Sequence, residues 1–339
     1  MITSKIVGFK EVLNWTKVEI IIFIYIAAIP TILYDVLGYR WLAIPWLPVA
    51  LVGTAVAFLI GFRNNASYDR LWEARKIWGA IVNSSRAWGI MVKDLITTKH
   101  AEIKISENDL KNIHTNFIYR HIGWLSALRF QLGQSRVWEN SQESTSDKYK
   151  KVFKTFKSES SLDSELNKYF SEGEKVYLSP KKNKATQIIS IQSSELKKLW
   201  ERGLIDNFRH LKLQGMLEKF YDQQGQCERI KTFPYPRQFA TVNLFFVWIF
   251  ILLVPFGMLP EFEKLGGRLI WLTIPFCVLV SWVFHTMEKV GESTENPFEG
   301  GVNNIPMAAI SRTIEIDLRD MLDEPDLPEP IEPIKNILM

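Results

Sequence analysis

Most of what would signal chemistry is missing from this sequence. Of 339 residues only two are cysteine, Cys227 and Cys277. They stand singly, without the paired spacing of a metal site or a disulfide framework, and Cys277 lies inside an apolar run, so both read as unpaired structural residues. His114 and His121 sit two turns apart on one helix face with no third ligand near them in sequence, which reads as two satisfied histidines rather than a metal site. There is no glycine-rich phosphate loop, no nucleophile elbow and no HExxH pattern, so neither an enzyme nor a cofactor is expected. The net charge of +4 is too small to argue for nucleic acid. The apolar runs contain almost no ionisable residues, which argues against a proton-coupled transporter. No small-residue cleavage site follows the first run, where Pro30 and then Tyr34-Asp35 come instead, so that run is expected to stay uncleaved. Finally, residues 63–237 lack any segment long and apolar enough to cross a bilayer.

What is present is a divided composition. The chain is 47% hydrophobic with 21 Phe and 12 Trp, yet 23% of it is charged. Such a mixture suits a chain half in lipid and half in water. Residues 1–18 are short, basic and amphipathic, as expected of a membrane-surface helix. Four apolar runs follow the requirements of spans: residues 20–38, kinked at Pro30; 41–62, with Trp41 and Trp46 as an aromatic belt; 239–259; and 269–284, closed by His285. Residues 68–98, 107–133 and 187–221 carry helical periodicity. Residues 139–186 form a polar insertion rich in Ser, Lys and Glu, expected to be mobile or weakly helical and peripheral. Beyond Glu324 the Pro- and acid-rich tail reads as an extended strap. The chain therefore divides into 1–62, 63–237, 238–287 and 288–339. Four spans put both termini and the large middle segment on one side, with nearly all Lys and Arg, and the positive-inside rule makes that side cytoplasmic.

One stretch joins the two halves. From Gly53 to Gly79 the first third is apolar and the rest carries Arg63, Asp69, Arg70, Glu73, Arg75 and Lys76, with no proline between, so a single helix is expected to leave the membrane without stopping. Gly53, Ala57 and Gly61 recur every four residues, a spacing that lets another helix approach closely. Thr54, Phe58 and Phe62 share an adjacent face, because a four-residue step turns a helix by only about 40° beyond a full turn. Periodicity alone fits either an ordinary packed span or a ring of side chains around an axis.

Two blocks then resemble the bestrophin family in its bacterial branch. The first is GFRNNASYDRLWEARKIWGAIVNSSR, with Arg63, Asn64, Asn65, Ser67, Tyr68, Asp69, Arg70, Trp72 and Glu73. The second is ENPFEGGVNNIPMAAISRTIEIDLRDML, headed by Asn296, Pro297 and Phe298. They lie near opposite ends of the chain, and the segment at Pro234 and Pro236 agrees with them. The resemblance implies an all-α membrane protein: a homopentamer with four transmembrane helices per subunit, a cytoplasmic helical bundle and one axial pore in the cell (inner) membrane. It implies passive conduction of small ions, with the lipid bilayer and further copies of the chain as partners. It puts Thr54, Phe58 and Phe62 at the pore neck, where Thr54 departs from the family's bulky apolar residue and should make the outer neck wider or wetter. A second constriction at the cytoplasmic exit would fall at Leu211 or Met216. In the animal branch an acidic run after the Asn-Pro-Phe triplet helps bind calcium. Here Glu299 and then Gly300-Gly301-Val302-Asn303-Asn304 follow, one carboxylate where a hard cation wants six to eight oxygens, which argues against calcium at Asn296–Glu299. Charges of both signs follow the neck, so anion and cation conduction both stay open; Asp69, Arg70, Glu73 and Arg75 are expected to pair between subunits, whereas Arg63 sits close to the inner end of the neck. The rival readings are a membrane-anchored scaffold or receptor with no pore, and an enzyme at the membrane surface, for which no constellation is found.

Overall fold

Helix ends in this chain are written in two ways. Where the chain meets water, side chains cap them: Ser106 accepts from the Asp109 amide, Asn183 from Thr186 and Asp206 from Arg209, while Ser171 and Glu174 close a capping box. Each satisfies amides that the first helical turn leaves unbonded. The long apolar helices have no such side-chain cap, and two of them start directly after a proline, Pro45 and Pro236. The computed structural model describes residues 1–99, 105–137 and 161–339. Among them it shows α1 (Phe9–Trp15), α2 (Lys17–Asp35), α3 (Trp46–Leu95), α4 (Glu107–Gly133), α5 (Leu162–Leu166), α6 (Glu172–Leu178), α7 (Lys184–Glu201), α8 (Asn207–Thr232), α9 (Arg237–Glu263), α10 (Thr273–Thr294) and α11 (Met307–Asp320). No strand occurs among the described residues, only isolated bridges such as Ile2 to Ile337.

Four helical segments are long and apolar enough to cross a membrane: Lys17–Asp35, Arg40–Leu95, Arg237–Glu263 and Arg268–Thr294. The chain is a membrane protein of all-helical build. Pro30 does not end α2, which runs on to Asp35. The fourth helix differs from expectation in a consequential way. It does not close at His285 but continues to Thr294, because Glu288, which reads in the sequence as a charge at a boundary, is buried against a cation.

The 50 residues of α3 make one uninterrupted helix, about 75 Å long at 1.5 Å per residue, against a hydrocarbon core of about 30 Å. It therefore serves two cores. Val49, Val56 and Ile60 pack with Phe23, Ala27, Val247, Phe250, Ile251, Val254 and Cys277 among the membrane helices. Farther along, Ala74, Ile77, Trp78, Ile81, Trp88 and Val92 pack with Phe117, Trp124, Leu128, Leu213, Phe220 and Leu318 in the bundle beyond the membrane. That second core carries polar pins at its centre: His121 bonds the Ser85 hydroxyl at 2.9 Å, Gln223 donates to Ser84 at 2.9 Å, and the Trp124 indole donates to Gln224 at 3.0 Å. His114 bonds the Ile96 carbonyl at 2.9 Å. Both histidines thus have partners inside the chain. Complete burial depresses the His121 imidazole to about 3. Cys227 is buried and free, and burial pushes its thiol up, which leaves it inert.

The polar insertion departs from expectation where it is described. Residues 139–160 lie outside the described residues, but 161–178 form α5 and α6 and bury Leu166, Phe170 and Leu178 in the bundle core. Phe170 packs against Gly123, where a Cβ would come within 2.1 Å of its ring. Three apolar residues scattered in a polar segment dock it, together with the Arg120–Glu174 pair at 2.6 Å and the Tyr169 hydroxyl, which donates to Glu315 at 2.8 Å. Gly203 ends α7 with φ of 68°, which frees the amides of Gly203 and Leu204 to reach the Trp200 and Leu199 carbonyls, the 5→2 and 6→1 pair of a Schellman turn.

Candidate functional site

One face of α3 is covered and the other is not. Gly53, Val56, Ile60, Arg63 and Ser67 are buried, whereas Thr54, Ala57, Phe58, Gly61, Phe62 and Asn65 are exposed. Phe58 and Phe62 keep 65% and 68% of their surface open. Together with Phe250, Val280 and Phe284 this stripe lines a groove of about 720 Å³. The small-residue spacing divides between the two faces. A Cβ on Gly53 would meet the Phe250 ring at 2.6 Å, so its close approach is used inside the chain by α9. Gly61 has nothing within 4 Å and Ala57 is open. Thr54 donates its hydroxyl to the Ala50 carbonyl at 2.9 Å and stays exposed.

Immediately below the stripe, the charges turn inward. The Arg63 guanidinium, 4% exposed, pairs with Glu288 of α10 and, at 3.4 Å, with Glu295. Arg237, at the start of α9, reaches the other oxygen of Glu295 at 3.2 Å. Asn64 donates to the Met287 carbonyl at 3.1 Å, and a Cβ on Gly291 would stand 2.1 Å from its amide oxygen, so the Asn64 side chain lies directly against the α10 backbone there. Two turns on, Arg70 gathers three helix-end carbonyls: Glu295 at 3.1 Å, Ile230 at 2.9 Å and Phe233 at 2.7 Å. A cation at the negative ends of α8 and α10 satisfies acceptors that no further turn of helix can reach. Glu73 pairs with Arg229. Arg63 and Glu73 therefore pair within the chain, and Arg70 gives its donors to carbonyls of the same chain, whereas the sequence suggested pairs between subunits for Arg70 and Glu73.

The second sequence block folds back onto the same point. Asn296 donates to Glu299 at 2.8 Å, Asn304 donates to the Asn296 carbonyl at 2.8 Å, the Pro297 carbonyl accepts from Ile305, and Phe298 is buried in the bundle core. Glu295 is the residue that joins the blocks. Glu288, Glu295 and Arg237 were missed as site residues. The available signal was complementarity: a buried Arg63 at a membrane boundary requires carboxylates, and Glu288 is an acid set just beyond an apolar run. Other members of the first block face outward. Tyr68 and Trp72 stack at 6.4 Å between centroids and are exposed, and Asp69 is exposed. Of the two exit candidates, Leu211 is exposed beside Phe208, whereas Met216 packs against the bundle core. Among the described residues no group of three His, Cys, Asp or Glu side chains could hold a metal ion.

Residues 8–320 match the family described as Bacterial/Fungal Bestrophin protein. The chain belongs to that family. Among curated relatives, this bestrophin is 26% identical over 286 residues to a voltage-dependent anion channel-forming protein of Escherichia coli (strain K12), covering 84% of this chain and 80% of that one. It is 27% identical to another so described from Ralstonia nicotianae, covering 83% and 78%. Among solved structures, a bacterial bestrophin homolog from Klebsiella pneumoniae superposes with a TM-score of 0.74 at 21% identity, covering 91% of this bestrophin and 99% of that chain. That likeness is one of fold.

Proposed function

We propose that this bestrophin is a passive channel for small monovalent anions in the cell's inner membrane. Five copies of α3 would ring one axial pore, with the helical bundle and both termini in the cytoplasm. The observation that carries the reading is the inverted face of α3: two large phenyl rings left open beside a row of small residues, on a helix anchored by buried ion pairs directly below. An exposed apolar stripe in a groove asks for lipid or for another copy, and the small residues Ala57 and Gly61 allow a copy to come close. The relatives' description as anion channel-forming supports the choice of ion.

In this reading Thr54, Phe58 and Phe62 form the neck. Rings of Phe restrict water by dewetting, and their electropositive edges favour an anion without a fixed charge. Thr54 makes the outer neck wetter, although its hydroxyl proton is already given to Ala50. Leu211 is the better exit candidate, since its side chain is open and that of Met216 is not. Catalysis has no part in the reading. The deciding experiment is the reversal potential of reconstituted protein across a chloride salt gradient. A potential near that of the anion is expected; one near that of the cation overturns the selectivity, and no conductance at all returns the chain to a membrane-anchored scaffold.

A further inference from the structure

The first seventeen residues carry an unbalanced surface at the edge of the membrane helices. Lys5, Lys10 and Lys17 are all exposed, and none of them has a carboxylate partner among the described residues. The acids that could neutralise them are spoken for: Glu19 is held by Lys289, and Glu11 has a partner of its own. Between the lysines stand apolar side chains that are largely open, Ile6 at 77% and Phe9 at 68% exposed.

The position of this patch is set by firm contacts. The Phe9 ring meets Trp282 of α10 edge-on at 6.2 Å, and the Trp282 indole donates to Thr16 at 2.8 Å. Lys289 donates to the Trp15 carbonyl and lies 5.2 Å over the Trp15 ring. These residues belong to the end of α10 nearest the Arg63–Glu288 pair, so α1 lies where the span-length helices pass into the bundle. From Val18 onward the exposed apolar surface continues along α2 through Ile21, Ile22 and Tyr25. The patch is thus continuous with the face that α2 gives to acyl chains.

We propose that residues 5–17 are a docking surface for anionic phospholipid headgroups in the leaflet adjoining the bundle. Ile6 and Phe9 enter the boundary between headgroups and acyl chains, and Lys5, Lys10 and Lys17 take the phosphates. Basic side chains over an apolar footing are the arrangement that binds charged interfaces, and each lysine near such a surface adds about a fivefold preference for it. A zwitterionic leaflet meets the apolar footing but leaves the three charges unanswered.

The test does not depend on conduction, so it separates from the channel reading. The full-length protein is reconstituted in phosphatidylcholine vesicles with and without phosphatidylglycerol, and amide hydrogen exchange is followed over residues 5–17. Slower exchange in the anionic vesicles is expected, the extra protection shrinking by about fivefold for each lysine replaced by glutamine and fading in molar salt as screening removes it. The variant Lys5→Arg/Lys10→Arg/Lys17→Arg should keep the dependence on anionic lipid, and Lys5→Gln/Lys10→Gln/Lys17→Gln should lose it. Equal exchange in both vesicles for the unmodified protein, or a triple glutamine variant that still tells them apart, overturns the proposal.

Discussion

The two halves of α3 break the usual burial rule in opposite directions. Its membrane half leaves its bulkiest apolar side chains, Phe58 and Phe62, uncovered; its other half begins by burying an arginine. Each inversion explains the other. Apolar rings can stand open only where lipid or a second copy covers them, and a helix with one open face needs fixing from behind. The buried Arg63, with Glu288 and Glu295, supplies that fixing. An ion pair in a dry site adds little net stability, since desolvation offsets much of the attraction, but it has very few acceptable geometries. The exposed half is built for contact with something outside the chain, and the buried half sets its angle.

The largest effect that could break this contrast is removal of the anchor. Arg63→Ala should lose about 3–5 kcal/mol, because the buried Glu288 would lose its counter-charge and Glu295 would keep only Arg237. The thermal midpoint of the detergent-solubilised protein reads the loss, and Arg63→Met with Glu288→Leu should recover a large part of it. If Arg63→Ala unfolds where the parent does, the buried pair is not an anchor. A second test acts on the open face. Phe58→Ala with Phe62→Ala should raise ion flux in proteoliposomes severalfold while leaving the thermal midpoint close to the parent's, since neither ring is buried in the chain. Unchanged flux would remove both residues from the conduction path.

The small residues sharpen the comparison. Gly53→Ala should cost about 1–3 kcal/mol by driving a methyl group into the Phe250 ring. Gly61→Ala, with open space around it, should cost almost nothing in a dispersed single chain. Should Gly61→Ala weaken the oligomer on a sizing column without weakening the chain, a neighbouring copy approaches at that point. The smallest effect concerns the other core. His121 is neutral when folded, with its imidazole depressed to about 3 from an ordinary 6.5. The unfolded chain therefore binds a proton that the folded chain refuses, and stability must fall as pH drops below 6.5. The loss over the first pH unit is about 1 kcal/mol, and it should be absent from His121→Gln, so that it appears in full as the difference between the parent and that variant measured by thermal unfolding.

Much of the architecture was legible before any coordinates. Length and apolarity identify four spans, because a bilayer imposes both on any helix that crosses it. The missing proline between Gly53 and Gly79 foretold the unbroken α3. The site was legible only in part. The spacing of Thr54, Phe58 and Phe62 places them on one face, but a spacing is the same for a face turned inward and one turned outward. The charges after Phe62 read as pairs between subunits because their partners within the chain, Glu288, Glu295 and Arg229, lie more than 150 residues away. The docking of Phe170 over Gly123 was hidden for a similar reason: a few apolar residues in a polar segment show no period.

The sequence alone determined what the bilayer and the helix require locally: which segments are apolar for long enough, where the chain meets water, and which residues share a face. Those follow from solvation and from the 3.6-residue repeat. Only the tertiary structure decided which face of α3 is covered and which arginine meets which carboxylate. Burial and ion pairing are settled between residues far apart in the chain, and nothing in local pattern constrains them.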